Sequence, residues 1–181
     1  MTYLRWLDRL NKIAEFFLGV AFGLMTIFVF LQVIVRFVFT SFGLNISFPW
    51  TEELARYLMI WAVFIGAAVA MRKDNMIQLE AFVNMLPVSF GKKIKIISLI
   101  ITAVFFAYLI IISYEQVMNG FEQSSPVMGV PMSTVFISIL AGSVLMILNI
   151  IGLIVESHST KKDIRFMSTP EEDEYLEKII D

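Results

Sequence analysis

The sequence predicts an all-α integral membrane protein with four transmembrane helices, both termini inside, and an interfacial amphipathic helix between the second and third spans. Three observations carry that prediction. Hydrophobic residues make up 58% of the 181 positions, and mean hydropathy is +0.79, whereas a soluble domain is about 45–50% apolar. Four long apolar stretches are close to the ~20 residues needed to cross a hydrocarbon core. The basic residues cluster on alternate loops, which fixes an orientation.

The elements follow in chain order. Residues 1–15 read as a cytoplasmic amphipathic segment: Tyr3, Leu4, Leu7 and Leu10 alternate at helical spacing with Arg5, Asp8, Arg9 and Lys12. The pattern continues into span one, at about 16–36, where Gln32 is the strongly polar interruption. No cleavable signal peptide is expected, because the apolar run is too long and lacks an A-x-A site. Span two covers about 54–71 and span three about 96–113. Between them, Leu79, Phe82, Val83 and Leu86 recur at helical spacing and end at Pro87. That fits a short interfacial helix over about 76–86, with a re-entrant or buried connector as the alternative. Span four covers about 132–155. Residues 156–181 form an acidic cytoplasmic tail, in which Thr169, Pro170 and Glu172 make a helix start. Backbone groups in lipid must be satisfied within each segment, so the spans are helices.

Arg5, Arg9 and Lys12 precede span one; Arg72, Lys73, Lys92, Lys93 and Lys95 follow span two; Lys161, Lys162, Arg165 and Lys178 follow span four. The first and third loops carry no basic residue. Both termini are therefore expected in the cytoplasm of a multi-pass inner-membrane protein, with loops one and three outside.

Composition also removes several chemistries. There is no cysteine, so disulfides, thiolate metal sites and cysteine nucleophiles are excluded. His158 is the single histidine and lies past span four, which excludes a haem held between two histidines and leaves the serines of the spans without a histidine base. Ser–Lys pairs exist, but the lysines all lie in the basic cytoplasmic flanks. No Gly-rich phosphate loop is present. An enzyme is not expected, nor is any cofactor or metal.

The polar residues that stand out lie near the outer face. Arg36 ends span one, and Glu52, Glu53 and Arg56 begin span two. Arg56 is at i,i+4 from Glu52 and i,i+3 from Glu53, both neighbour spacings on a helix. Arg36 is within plausible reach of either acid. One reading is snorkelling to headgroups; the sharper one is an ion-pair clamp between spans one and two, or a partner-docking cluster. Their position near the edge argues against a transport site, which needs midplane groups. Gly19 and Gly23 form a G-x-x-x-G helix-contact motif; Gly66 with Ala70 and Ser138 with Gly142 form weaker ones. Asn149 in span four needs an amide partner across helices. Trp50 reads as an interface anchor, and Trp61 as packed against another helix.

The stretch Trp50-Thr51-Glu52-Glu53-Leu54-Ala55-Arg56-Tyr57-Leu58, with Trp61, Gly66-Ala67-Ala68, Arg72, the amphipathic segment to Leu86-Pro87 and span one ending in Gln32-Val33-Ile34-Val35-Arg36-Phe37, resembles a known family. It is the small membrane subunit (DctQ-like) of tripartite ATP-independent periplasmic (TRAP) transporters. The resemblance covers roughly residues 10–155; Met76-Ile77 stands where the family often has His-Ile. It implies a scaffold subunit partnered by a large TRAP permease and a periplasmic substrate-binding protein. The permease would carry a carboxylate-bearing solute on an ion gradient, usually sodium. The rivals are an autonomous small four-helix transporter, disfavoured because span one holds no acid, and a membrane anchor or assembly subunit of another complex.

Overall fold

The structure, a computed structural model, describes residues 2–39, 41, 48–73 and 88–160. Among these residues are four long α-helices: α1 (Thr2–Ile34), α2 (Pro49–Arg72), α3 (Val88–Gly120) and α4 (Ser133–Thr160). Each is long and apolar enough to cross a membrane. The expected interfacial helix at 76–86 and the tail beyond 160 lie outside the described residues.

The helices are longer than the apolar runs that predict them. At 1.5 Å rise per residue, the 33 residues of α1 and of α3 each extend about 50 Å, against ~30 Å of hydrocarbon. The amphipathic N-terminal segment forms the first turns of α1 without a break. The basic run Lys92-Lys93-Lys95, read as loop, forms the start of α3. α1 passes into a five-residue π-helical segment, Val35–Phe39, which carries Arg36. α2 starts where local chemistry favours it. Pro49 occupies the first turn, where its missing N–H is no loss. Thr51 turns its hydroxyl back onto the Phe48 carbonyl at 2.7 Å, and Glu52 sits at the favourable positive end of the helix.

α4 is the centre of the arrangement. It packs along both α2 and α3, α1 packs along α2, and α1 touches α4 over a short stretch. Among the described residues the α3 backbone does not run alongside α1 or α2, so the helices are ordered in an open row, α1–α2–α4–α3. This is less compact than the single bundle that chain length allows. The buried cluster joins Ala68 and Met71 of α2, Leu99 of α3, and Met146, Ile150 and Leu153 of α4. Two glycines permit close approach on α4. A Cβ on Gly142 would stand 2.6 Å from Phe64 Cβ of α2, and one on Gly152 would overlap the Leu7 side chain of α1. Lipid tails are as apolar as leucine, so small residues and dispersion contacts, rather than exclusion of water, hold such helices together.

The 121–132 connection between α3 and α4 is a shaped turn. Ser124 and Pro131 form an isolated bridge. Ser125 N–H donates to Val130 O at 2.8 Å, and Met132 N–H to Gln123 O at 2.9 Å. Gly129 takes the left-handed φ of 65° that lets the chain reverse.

Candidate functional site

The polar side chains that link one element to another gather into two assemblies, one at each end of the row. At the end formed by the start of α1 and the ends of α2 and α4, Asn11 and Asn149 are buried face to face. Asn11 Nδ2 donates to Asn149 Oδ1 at 2.8 Å, and Asn149 Nδ2 donates to Asn11 Oδ1 at 2.9 Å. The remaining amide hydrogens go to Leu7 O at 2.9 Å and Ala68 O at 2.6 Å. All four amide N–H groups of the pair are thus satisfied within α1, α2 and α4. That matters because an unpaired polar group in this setting costs about 1–3 kcal/mol.

One turn further toward this end, Arg72 of α2 bridges the same three helices. Its Nη2 lies 2.8 Å from Asp8 Oδ1 of α1, and its Nη1 lies 2.6 Å from Glu156 Oε2 of α4. The Arg72 side chain is 10% exposed. Lys73 Nζ pairs with Glu15 Oε1 at 2.7 Å. The Tyr3 hydroxyl donates to Leu148 O at 3.1 Å. Tyr3, Leu7 and Asn11 span about 12 Å of α1, yet they meet α4 within 148–152, about one turn. The first turns of α1 therefore cross α4 steeply and do not run alongside it. Lys95 of α3 is 2% exposed and has an interaction partner.

At the opposite end, Glu53 is buried, 8% exposed. Its Oε1 accepts from the Tyr57 hydroxyl at 2.6 Å, and its Oε2 accepts from the Met128 backbone N–H at 2.8 Å. It ties α2 to the α3–α4 turn. Thr51 is fully buried, and Gln32 of α1 donates to its hydroxyl at 3.3 Å. Trp61 Nε1–H donates to Thr134 O at 3.2 Å and stacks edge-on with Phe17. A groove of about 220 Å³ lies here, lined by Leu54, Tyr57, Leu58, Trp61, Met128, Val130 and Thr134.

The residues singled out by sequence separate in the fold. Glu52 and Arg56 form an exposed pair at 3.2 Å. Glu53 does not share Arg56, as its spacing allowed. A carboxylate on the inner face of α2 meets the Tyr57 hydroxyl and a turn N–H, whereas Arg56 lies on the outer face. Arg36 is exposed and, among the described residues, contacts neither Glu52 nor Glu53. A short loop between neighbouring spans allows that reach, but Arg36 lies in the π-helical segment Val35–Phe39 on an exposed face. Trp50 is partly exposed beside Phe28, its ring edge-on at 6.0 Å. Gly19 and Gly23 face outward, with nothing within 4 Å of an added Cβ. Gly66 makes ordinary contact with Leu18 at 3.8 Å. Asn149 lies in the three-helix amide pair.

Sequence reasoning missed Asn11, Arg72, Asp8, Glu156, Lys73 and Glu15 as partners. A signal was present. The two acids of the N-terminal segment and the acid at the end of span four fall on the same predicted side as Arg72 and Lys73, which were read there only as topology markers. Among the described residues no group of three or more His, Cys, Asp or Glu could hold a metal ion. The polar groups above are engaged with one another, so what this arrangement does is fix helices and a turn in place.

Comparison with known proteins agrees with the motif. Residues 25–159 match the family model described as tripartite ATP-independent periplasmic transporters, DctQ component. A protein from Haemophilus influenzae (strain ATCC 51907 / DSM 11121 / KW20 / Rd), named as a TRAP transporter small permease, is 36% identical over 138 residues. The alignment covers 74% of this chain and 80% of that protein.

Proposed function

The chain belongs to the DctQ component family of tripartite ATP-independent periplasmic transporters, and from that premise we propose that it is a scaffold subunit of a secondary active transporter. It would hold a large permease subunit in the membrane while that permease moves a carboxylate-bearing solute. The solute would be delivered by a periplasmic binding protein and driven inward by an ion gradient, sodium being the expected ion. The placement is the inner membrane, with both termini cytoplasmic.

One observation supports a structural role above the rest. The buried side chains Asn11, Asn149 and Glu53, and the Arg72 side chain at 10% exposure, find their partners within the chain, on neighbouring helices, on their own helix or in the α3–α4 turn. A carrier needs polar groups left open to solute or ion near the midplane, and these are closed against each other. The exposed faces supply what a scaffold needs. Gly19 and Gly23 offer a surface on α1 where another helix can approach closely. The apolar face of α3, with Ile97, Ile101, Val104, Tyr108 and Ile111 each more than half exposed, lies on the side of the row away from α1 and α2.

The outer residues divide by role under this reading. Glu53 is the clamp, shaping the α3–α4 turn. Arg36 and the Glu52–Arg56 pair are free to meet a partner. Co-expression with the large permease tests this. Arg36→Ala and Glu53→Ala should each reduce recovery of the complex or uptake by it, and normal assembly and uptake in both variants would refute the assignment.

A further inference from the structure

We propose that the first turns of α1 carry a binding stripe for anionic phospholipid headgroups, formed by Arg5, Arg9 and Lys12. The three lie at i, i+4 and i+7, so they share one face of the helix. All three are exposed. They point away from the face formed by Tyr3, Leu7 and Asn11, which packs on α4.

The charge balance of this segment is what makes the stripe a site. In sequence the segment looks self-neutralising. Asp8 stands three residues from Arg5 and four from Lys12, and Glu15 stands three from Lys12, all spacings that pair on a helix. The structure spends both acids elsewhere. Asp8 is taken by Arg72 of α2, with its Oδ1 receiving both Nε at 3.0 Å and Nη2 at 2.8 Å. Glu15 is taken by Lys73 at 2.7 Å. Among the described residues Arg5, Arg9 and Lys12 have no acidic partner. Three cations without an acidic partner among the described residues therefore stand on one helix face.

The surroundings identify the occupant. Trp6 is 52% exposed and Ile13 is 66% exposed, and both flank the stripe. An amphipathic ring and an aliphatic side chain beside cationic tips is the composition of a helix at the headgroup level, with the apolar groups toward the acyl chains and the cations at the phosphates. The same turns cross α4 steeply at Leu148–Gly152, one turn before the Arg72–Glu156 ion pair that marks the end of the row. An anionic lipid phosphate supplies the missing negative charge without displacing Asp8 or Glu15.

The test uses the full-length chain in nanodiscs of phosphatidylcholine containing a minor fraction of phosphatidylglycerol, with lipid contact read by spin-labelled lipids of each headgroup. Each basic residue close to an anionic surface is worth about a fivefold preference. The wild type should select phosphatidylglycerol over phosphatidylcholine at least about fivefold. The triple variant Arg5→Gln, Arg9→Gln, Lys12→Gln should lose that selection, while Lys161→Gln, Lys162→Gln, Arg165→Gln retains it. Millimolar inorganic phosphate should leave the selection intact; its abolition would assign the stripe to free phosphate and overturn the proposal. Absence of selection in the wild type, with its appearance on deleting residues 166–181, would make the acidic tail the occupant and overturn it equally. Unchanged selection in the triple variant would do the same. No arm depends on transport, so the outcome is independent of the scaffold assignment.

Discussion

The two ends of the helix row use polar groups differently. At the end holding Arg72, the bonds run from helix to helix across large sequence separations: Asn11 to Asn149, Arg72 to Asp8 and to Glu156. At the end holding Glu53, the charged groups bond to a turn or within a single helix, Glu53 to the Met128 N–H, Tyr57 to Glu53 and Arg56 to Glu52, and only neutral donors cross between helices, Gln32 to Thr51 and Trp61 to the Thr134 carbonyl. The first end is a joint among α1, α2 and α4. The second shapes a surface. A scaffold needs both, one end to stay assembled and the other to present a fixed face. The difference predicts that substitutions at the Arg72 end act on the stability of the chain, and substitutions at the Glu53 end act mainly on local order and on partners.

The largest effect is expected at Asn149. Asn149→Leu removes three interhelical hydrogen bonds, two with Asn11 and one to the Ala68 carbonyl, and leaves the Asn11 amide buried with only its bond to Leu7 O. The loss should be about 2–3 kcal/mol, read as a lowered unfolding midpoint in detergent. A loss no larger than that of Arg56→Ala would break the contrast between the ends. Next comes Arg72→Met. Its partners Asp8 and Glu156 are 50% and 35% exposed, so solvent compensates in part, and about 1–2 kcal/mol is expected. Adding Asp8→Asn should recover part of it, which a double-mutant cycle measures.

Glu53→Gln sharpens the other half of the comparison. The amide group keeps one acceptor for the two donors that the carboxylate served. Global stability should fall by about 1 kcal/mol or less, while hydrogen exchange at the Met128 amide should accelerate about tenfold. Equal acceleration throughout α4 would show that Glu53 belongs to the joint instead. Arg56→Ala should be the mildest. The pair is 63% and 66% exposed, so no more than about 0.5 kcal/mol is expected, with any larger consequence confined to recovery of the complex.

The sequence made the four spans legible because lipid demands long apolar helices and little else. It made Asn149 legible because an amide in a span must find a partner. It did not reveal the open row, since hydrophobic runs report length and not neighbours. Nor did it reveal that Glu53 and Arg56 part company. Spacing on a helix says which side chains can meet, and here a third element, the turn at Met128, supplies a donor that no intrahelical spacing contains. Asp8 and Glu15 were obscured for the same reason: local basic residues at helical spacing looked like their partners, and the actual ones lie at Arg72 and Lys73. Gly19 and Gly23 read as a motif for close approach, but among the described residues nothing lies within 4 Å of a Cβ added at either.

The most direct test of the scaffold account is capture of the tagged full-length chain from native membranes, with uptake measured in parallel for the same chain reconstituted alone. The account predicts a large multispan permease recovered with it in stoichiometric amount, and no solute uptake by the chain alone. Recovery with a redox or synthase complex instead, or ion-driven uptake by the isolated chain, would contradict it.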